Sequence, residues 1–314
     1  MIRRGTRGGL PLPLAAAVFG PGHRLLLNPR VPVGVQRRLA DAVSTMHPLP
    51  ADTRIEWVTL GGRPTARLTV GKPAASTDGA VLLLHGGGYT MGSARTHRGL
   101  AAYLARDTGR PVYLIEYRLA PEHPYPAAVD DAVAAIRELI QRYGDAGQIG
   151  LVGDSAGGGL ALAATYRLRD EDHVVPAALA LISPWVDLAD PTDRPTDLVV
   201  SRAWSMANAA AYCGPVDWAD PGCSPVFGDP TGLPPTLIQV CTRESLYDQD
   251  RRLAGILRDA GVEVTLSTDD RMWHDAQLQP GLLREAAAAV AEIAAFLGER
   301  LSGTIVEPTG GEVG

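Results

Sequence analysis

Two apolar runs in this chain end on glycine-rich turns, and together they restrict what it can fold into. Ala80-Val81-Leu82-Leu83-Leu84 leads into His85-Gly86-Gly87-Gly88, and about seventy residues later a second short apolar run leads into Gly153-Asp154-Ser155-Ala156-Gly157. The second turn has the G-x-S-x-G form, in which small residues flank a serine because a strand must bend sharply into a helix there. Glycine tolerates that crowding at the least cost. The first turn offers a run of backbone N–H groups to a developing oxyanion. In this order the two turns point to acyl transfer by a serine. A phosphate loop does not fit, because the one lysine, Lys72, is followed by Pro73 and no G-K-[ST] sequence exists. A dinucleotide fingerprint starting at Gly86 would need a small residue at position 91, which is Met91.

The pattern of elements around these turns is that of an α/β chain. Strand-like runs fall at Arg54–Leu60, Thr65–Val70, Ala80–Leu84, Pro111–Tyr117, Ile149–Gly153, Ala177–Ile182, Thr236–Cys241 and Val262–Ser267. Helical periodicity predicts helices over Thr96–Arg106, Pro126–Tyr143, Ser155–Leu168, Asp248–Ala260 and Leu282–Leu301. Two leading strands followed by strand–helix alternation predict a mostly parallel eight-stranded sheet with helices on both faces. With 314 residues the chain fits one such domain, over about 51–301, carrying extra segments. Residues 1–50 and about 185–230 fall outside the rhythm and are expected to form a composite helical cap above the carboxyl ends of the strands, where open α/β sheets place their ligands. The polar tail 302–314 is expected to be disordered.

Composition narrows the function classes. A net charge of −6 with scattered arginines gives no basic field for nucleic acid. No apolar stretch is long enough to span a membrane, although peripheral association stays open, as does a homodimer. Cys213, Cys223 and Cys241 form no C-x-x-C pair, so neither zinc nor a disulfide framework is indicated and a cytoplasmic setting is favoured. Pairing of Cys213 with Cys223 would fit only an exported form. Arg3, Arg4 and Arg7 before the apolar stretch Leu10–Phe19 imitate an export signal, but Pro11 and Pro13 interrupt it. The preferred reading is a cap segment that continues through the amphipathic run Val35–Val43.

A serine nucleophile needs an imidazole base, and the base needs an orienting carboxylate. Gly158 stands three residues after Ser155, which rules out S-x-x-K. Only His173 and His274 follow Ser155, and His274, in the loop after the last strand, lies at the correct end of the sheet. The acid is expected after Thr236–Cys241, where Glu244 and Asp248 compete. Asp248 has a structural alternative as the N-cap of the next helix, so Glu244 is preferred and Asp248 is kept as the alternative acid. The chemistry is complete without cofactor or metal.

These motifs, with Tyr117-Arg118-Leu119-Ala120-Pro121-Glu122-His123-Pro124-Tyr125-Pro126 and Ser183-Pro184-Trp185, resemble the hormone-sensitive-lipase-like family of α/β-hydrolases over about Thr53–Leu297. The resemblance implies an α/β-hydrolase fold, Ser155 as nucleophile, His274 as base, and the N–H groups of Gly87, Gly88 and Ala156 as an oxyanion hole supported by Gly86 and Asp154. It makes His85 and His123 scaffold residues that brace the loops. The family has Asp where this chain has Glu244, and the thirty residues from Glu244 to His274 match its spacing. The expected activity is a serine carboxylesterase acting on small-molecule esters of short to medium acyl chain. A lactonase, deacetylase or amidase of the same mechanism is the alternative. A non-catalytic ligand receptor on the same fold is the rival of another class, disfavoured because Ser155, an acid and His274 are all present.

Overall fold

The structure, a computed structural model, describes residues 9–71, 79–190 and 194–301. Arg3, Arg4, Arg7 and the tail 302–314 lie outside them. Eight strands form one sheet in the order β1-β2-β4-β3-β5-β6-β7-β8. β1 (Thr53–Leu60) and β2 (Arg63–Val70) pair antiparallel, β2 pairs antiparallel with β4 (Val112–Ile115), and all remaining pairs are parallel. The central strands β3 (Ala80–Leu84), β5 (Ile149–Asp154), β6 (Ala178–Ile182) and β7 (Thr236–Cys241) are buried along their whole length. They read as continuous apolar runs because helices cover both sheet faces.

Side chains alternate between those faces. Leu82 and Leu84 join a core with α4 (Ala127–Tyr143), α5 (Ala156–Asp172) and α7 (Tyr247–Asp259), whereas Val81 and Leu83 join one with α3 (Ala94–Thr108) and α8 (Arg284–Leu301). α3 starts where it does because Ser93 and Thr96 close a reciprocal capping box. The last strand, β8, runs Val264–Asp269 and not from Val262, since Val262 is buried in the turn that closes α7 after Gly261.

The segments outside the alternation are helical in part. α1 spans Leu12–Leu26 and α2 spans Val33–Ser44. Pro11 precedes α1 and Pro13 sits in its first turn, where a missing N–H removes no helical bond. Leu12 and Ala15 pack on Trp273, Ala276 and Leu283. The second segment contains α6 (Arg202–Cys213), started by Ser201, whose side chain accepts from Trp204 N–H. All three cysteines are buried free thiols, and Cys213 lies against Cys223. No helix among the described residues is long and apolar enough to cross a membrane.

Candidate active site

The site lies where β3, β5, β7 and β8 end. Ser155, between β5 and α5, takes φ +49°, ψ −120° and is 4% exposed. A side chain rarely adopts that conformation, so the turn must be held from outside. Ser155 N–H donates to Ile182 C=O at 2.8 Å, and Trp185 N–H donates to Ser155 C=O at 2.8 Å. Gly157 cannot be larger, because a Cβ there would lie 2.0 Å from Leu84 C=O. Ala156 opens α5, which leaves its N–H among the donors without an intrahelical acceptor.

The turn after β3 is packed as tightly. Gly87 has φ +112°, and a Cβ there would meet Met91 C=O at 2.4 Å. Gly86 N–H donates to Asp154 Oδ2 at 3.1 Å, and His97 Nε2 lies 2.9 Å from the same oxygen. Burial opposes charge on His97, but the Asp154 carboxylate outweighs it and holds the imidazole above its usual value. His85 behaves oppositely: burial pushes it down to about 3, and its ring stacks on Tyr117 at 4.2 Å. Tyr117 Oη donates to His85 C=O at 2.6 Å. His85 therefore braces this turn. His123 does not, since it is exposed, and the tie in its stretch is made by Glu122 with Arg37 of α2.

Glu244 and His274 meet in the interior, at 1% and 4% exposure. Glu244 Oε2 lies 2.5 Å from His274 Nδ1, and Oε1 accepts from Cys241 N–H at 2.5 Å and Ser183 Oγ at 2.8 Å. Asp248 is elsewhere. It is in the first turn of α7, exposed, and ion-paired with Arg194. Nor is it the N-cap, which is Leu246 with no side-chain cap, because α7 begins at Tyr247.

Asp275, not singled out by motif, faces the other side of the imidazole. Its Oδ2 lies 3.1 Å from His274 Nε2. Among the described residues no hydrogen bond joins Ser155 Oγ to that nitrogen. Burial opposes charge on His274, but the carboxylates of Asp275 and Glu244 outweigh it and hold the imidazole well above its ordinary value. His23 of α1 is a second unforeseen neighbour. Burial, then the nearby His274, keep it below the usual histidine range.

From above, Trp204 of α6 covers the glycine turn, its Cη2 2.9 Å from where a Gly88 Cβ would stand. Trp204 Nε1 donates to Gln36 Oε1 of α2 at 3.2 Å. The other aromatics of this segment join the core: Tyr212 is stacked on Tyr89 at 3.7 Å, and Trp218 packs on the same cluster. No group of three His, Cys, Asp or Glu among the described residues is placed to hold a metal ion.

A family model described as the alpha/beta hydrolase fold matches residues 81–278. A crystal structure of an esterase from the bacterial hormone-sensitive lipase family superposes with TM-score 0.86 at 36% identity, covering 94% of this chain and all of that one. The chain belongs to this family of α/β-hydrolases. It is a serine ester hydrolase, in keeping with its relatives. An acetyl-hydrolase of Streptomyces hygroscopicus is 40% identical over 250 residues, 76% of this chain and 84% of the relative. The putative acetyl-hydrolase LipR of Mycobacterium tuberculosis is 35% identical over 314 residues, 99% of this chain and 97% of the relative.

Proposed function

We propose that this chain is a serine carboxylesterase for short to medium acyl esters, with Ser155 as nucleophile, His274 as base and Glu244 as orienting acid. The observation that carries the reading is the buried Glu244–His274 pair at 2.5 Å, on the same sheet edge as a serine at positive φ. Glu244 accepts from Nδ1, which leaves Nε2 for proton transfer. Ser155 Oγ bonds to the ester carbon as its proton passes to Nε2, and the N–H groups of Gly87, Gly88 and Ala156 take the oxyanion. The leaving alcohol departs with that proton. Water then adds to the acyl-enzyme by the same route in reverse and releases the acid. For this cycle Nε2 must exchange Asp275 for Ser155.

Residues up to 50 and about 185–230 act as the cap. Trp204, held by Gln36, limits pocket depth over Gly88, and α1 closes the side next to His274. The supporting name among relatives is acetyl-hydrolase, an activity on a short acyl group. A fluorophosphonate should label wild type and leave Ser155→Ala unlabelled, and a series of acyl esters should show turnover falling as the chain lengthens. Labelling of Ser155→Ala, or a preference for long-chain triglycerides, would overturn the reading.

A further inference from the structure

The outer faces of α1 and α2 are apolar, and they are fixed in place. On α1, Leu14, Val18 and Leu25 are 53%, 63% and 73% exposed, and on α2 Val35, Leu39 and Val43 are 42%, 49% and 50% exposed. Met46, just beyond α2, is 74% exposed. Steps of four and seven residues put each set on one side of its helix. Of the eleven large apolar side chains exposed among the described residues, eight lie between Leu10 and Met46, so the exposure is a local feature and not general scatter.

The inner faces hold both helices to the body. Leu12 and Ala15 pack under α1, Gln36 holds Trp204, and Asp41 accepts from Ser93 Oγ at 2.6 Å. Arg37 donates to Thr90 C=O at 2.7 Å and Ala120 C=O at 2.8 Å and pairs with Glu122.

Charge selects the occupant. The first 40 residues hold seven of the chain's 29 basic residues and none of its 35 acidic ones. Arg24, Arg30 and Arg38 stand exposed around the apolar stripes. A second copy meeting this face across a two-fold axis would set arginine patches against each other. An anionic lipid surface satisfies both features at once, taking the apolar side chains between its headgroups and the guanidinium groups at its phosphates.

We propose that α1 and α2 form a docking face by which this chain sits on an anionic lipid bilayer. The face lies on the outside of the segment that covers Gly88 and His274, so a docked molecule would hold its cap toward the bilayer. The proposal stands independently of the triad, and its test reads binding and not turnover.

The full chain carrying Ser155→Ala is sedimented with phosphatidylcholine vesicles containing phosphatidylglycerol and with pure phosphatidylcholine vesicles. Binding should be about tenfold or more stronger with the anionic lipid and should weaken as salt is raised. Leu39→Ser with Val43→Ser, and separately Arg24→Glu with Arg38→Glu, should each reduce it about tenfold, with the thermal melting curve retained. If one pair fails to fold, the other decides. No sedimentation with anionic vesicles, equal sedimentation with both lipids, or binding untouched by a folded variant would overturn the proposal. So would a wild-type dimer that Leu39→Ser with Val43→Ser converts to a monomer, because the face would then be a contact between copies.

Discussion

Asp154 and His97 meet beneath the glycine turn, with Oδ2 2.9 Å from Nε2, and the same carboxylate oxygen accepts Gly86 N–H at 3.1 Å. The residue before Ser155 is thereby tied to the backbone that leads into Gly87 and Gly88. If Gly87 and Gly88 donate to the oxyanion as proposed, Asp154 and His97 act as positioning residues for those donors through Gly86. Asp154→Asn or His97→Ala should lower kcat by about tenfold or more while KM stays within about twofold, because donor placement matters most to the charged transition state. His97→Gln, which keeps a donor, should recover part of the loss. Equal losses in the amount of active enzyme and none in kcat would mean the pair only holds the fold.

Glu244→Ala should lower kcat by about 10³, as loss of an orienting acid does elsewhere. Asp248→Ala should leave turnover near wild type and cost at most about 1 kcal/mol, because it removes only an exposed ion pair with Arg194. Steady-state kinetics of the two variants decide between them, and loss of turnover in Asp248→Ala alone would reverse the assignment.

Most of the sheet was legible because β3, β5, β6 and β7 are buried on both faces and so are apolar without interruption. The pairing of Glu244 with His274 was legible because strand ends and chain order locate both residues. α1 and α6 were not, because their form depends on context. No side-chain cap marks the start of α1, whose N-cap is Pro11, and Pro21 lies inside the helix. Tertiary packing on Trp273 overrides that local penalty. The role of Asp275 was hidden for another reason. It follows His274 directly, and only the folded structure, with Asp275 at φ +57°, brings its carboxylate to Nε2.

The Asp275 contact has a consequence for pH. In the proposed cycle His274 must be neutral to act as base, and it is held well above its ordinary value, with Asp275 the foremost charge behind the rise against burial. Activity should therefore increase with pH through the histidine titration. Asp275→Asn removes a charge that favours imidazolium, so the acid limb of kcat/KM should move to lower pH. A limb that stays in place, or moves upward, would show that Asp275 does not face the working imidazole.

Asp250 of α7 is fully buried and neither carboxylate oxygen has a partner among the described residues. Burial, followed by the charge of Glu244, raises its carboxyl well above the usual range. A raised acid is stabilising below its unfolded value and loses that contribution as pH climbs toward the folded one. Asp250→Asn carries no such proton. Its gain in Tm over wild type should be larger at about pH 8 than at about pH 5. An equal gain at both would mean the carboxyl is ionised at no cost.

Deletion of residues 1–45 removes the Arg37 tie to Thr90 and Ala120, the Gln36 support of Trp204, and the cover that Leu12 and Ala15 place on Trp273 beside His274. The sheet begins only at Thr53, so its helices and strands should persist, with a lower Tm from the uncovered apolar surface. Water would then reach a site that must stabilise a developing charge, and Trp204 would lose its fixed position over Gly88. On a short ester, kcat/KM should fall by about tenfold or more, through kcat if water entry dominates and through KM if the pocket wall is lost. Kinetics and melting both unchanged from the full chain would refute a cap and favour a segment removed on export.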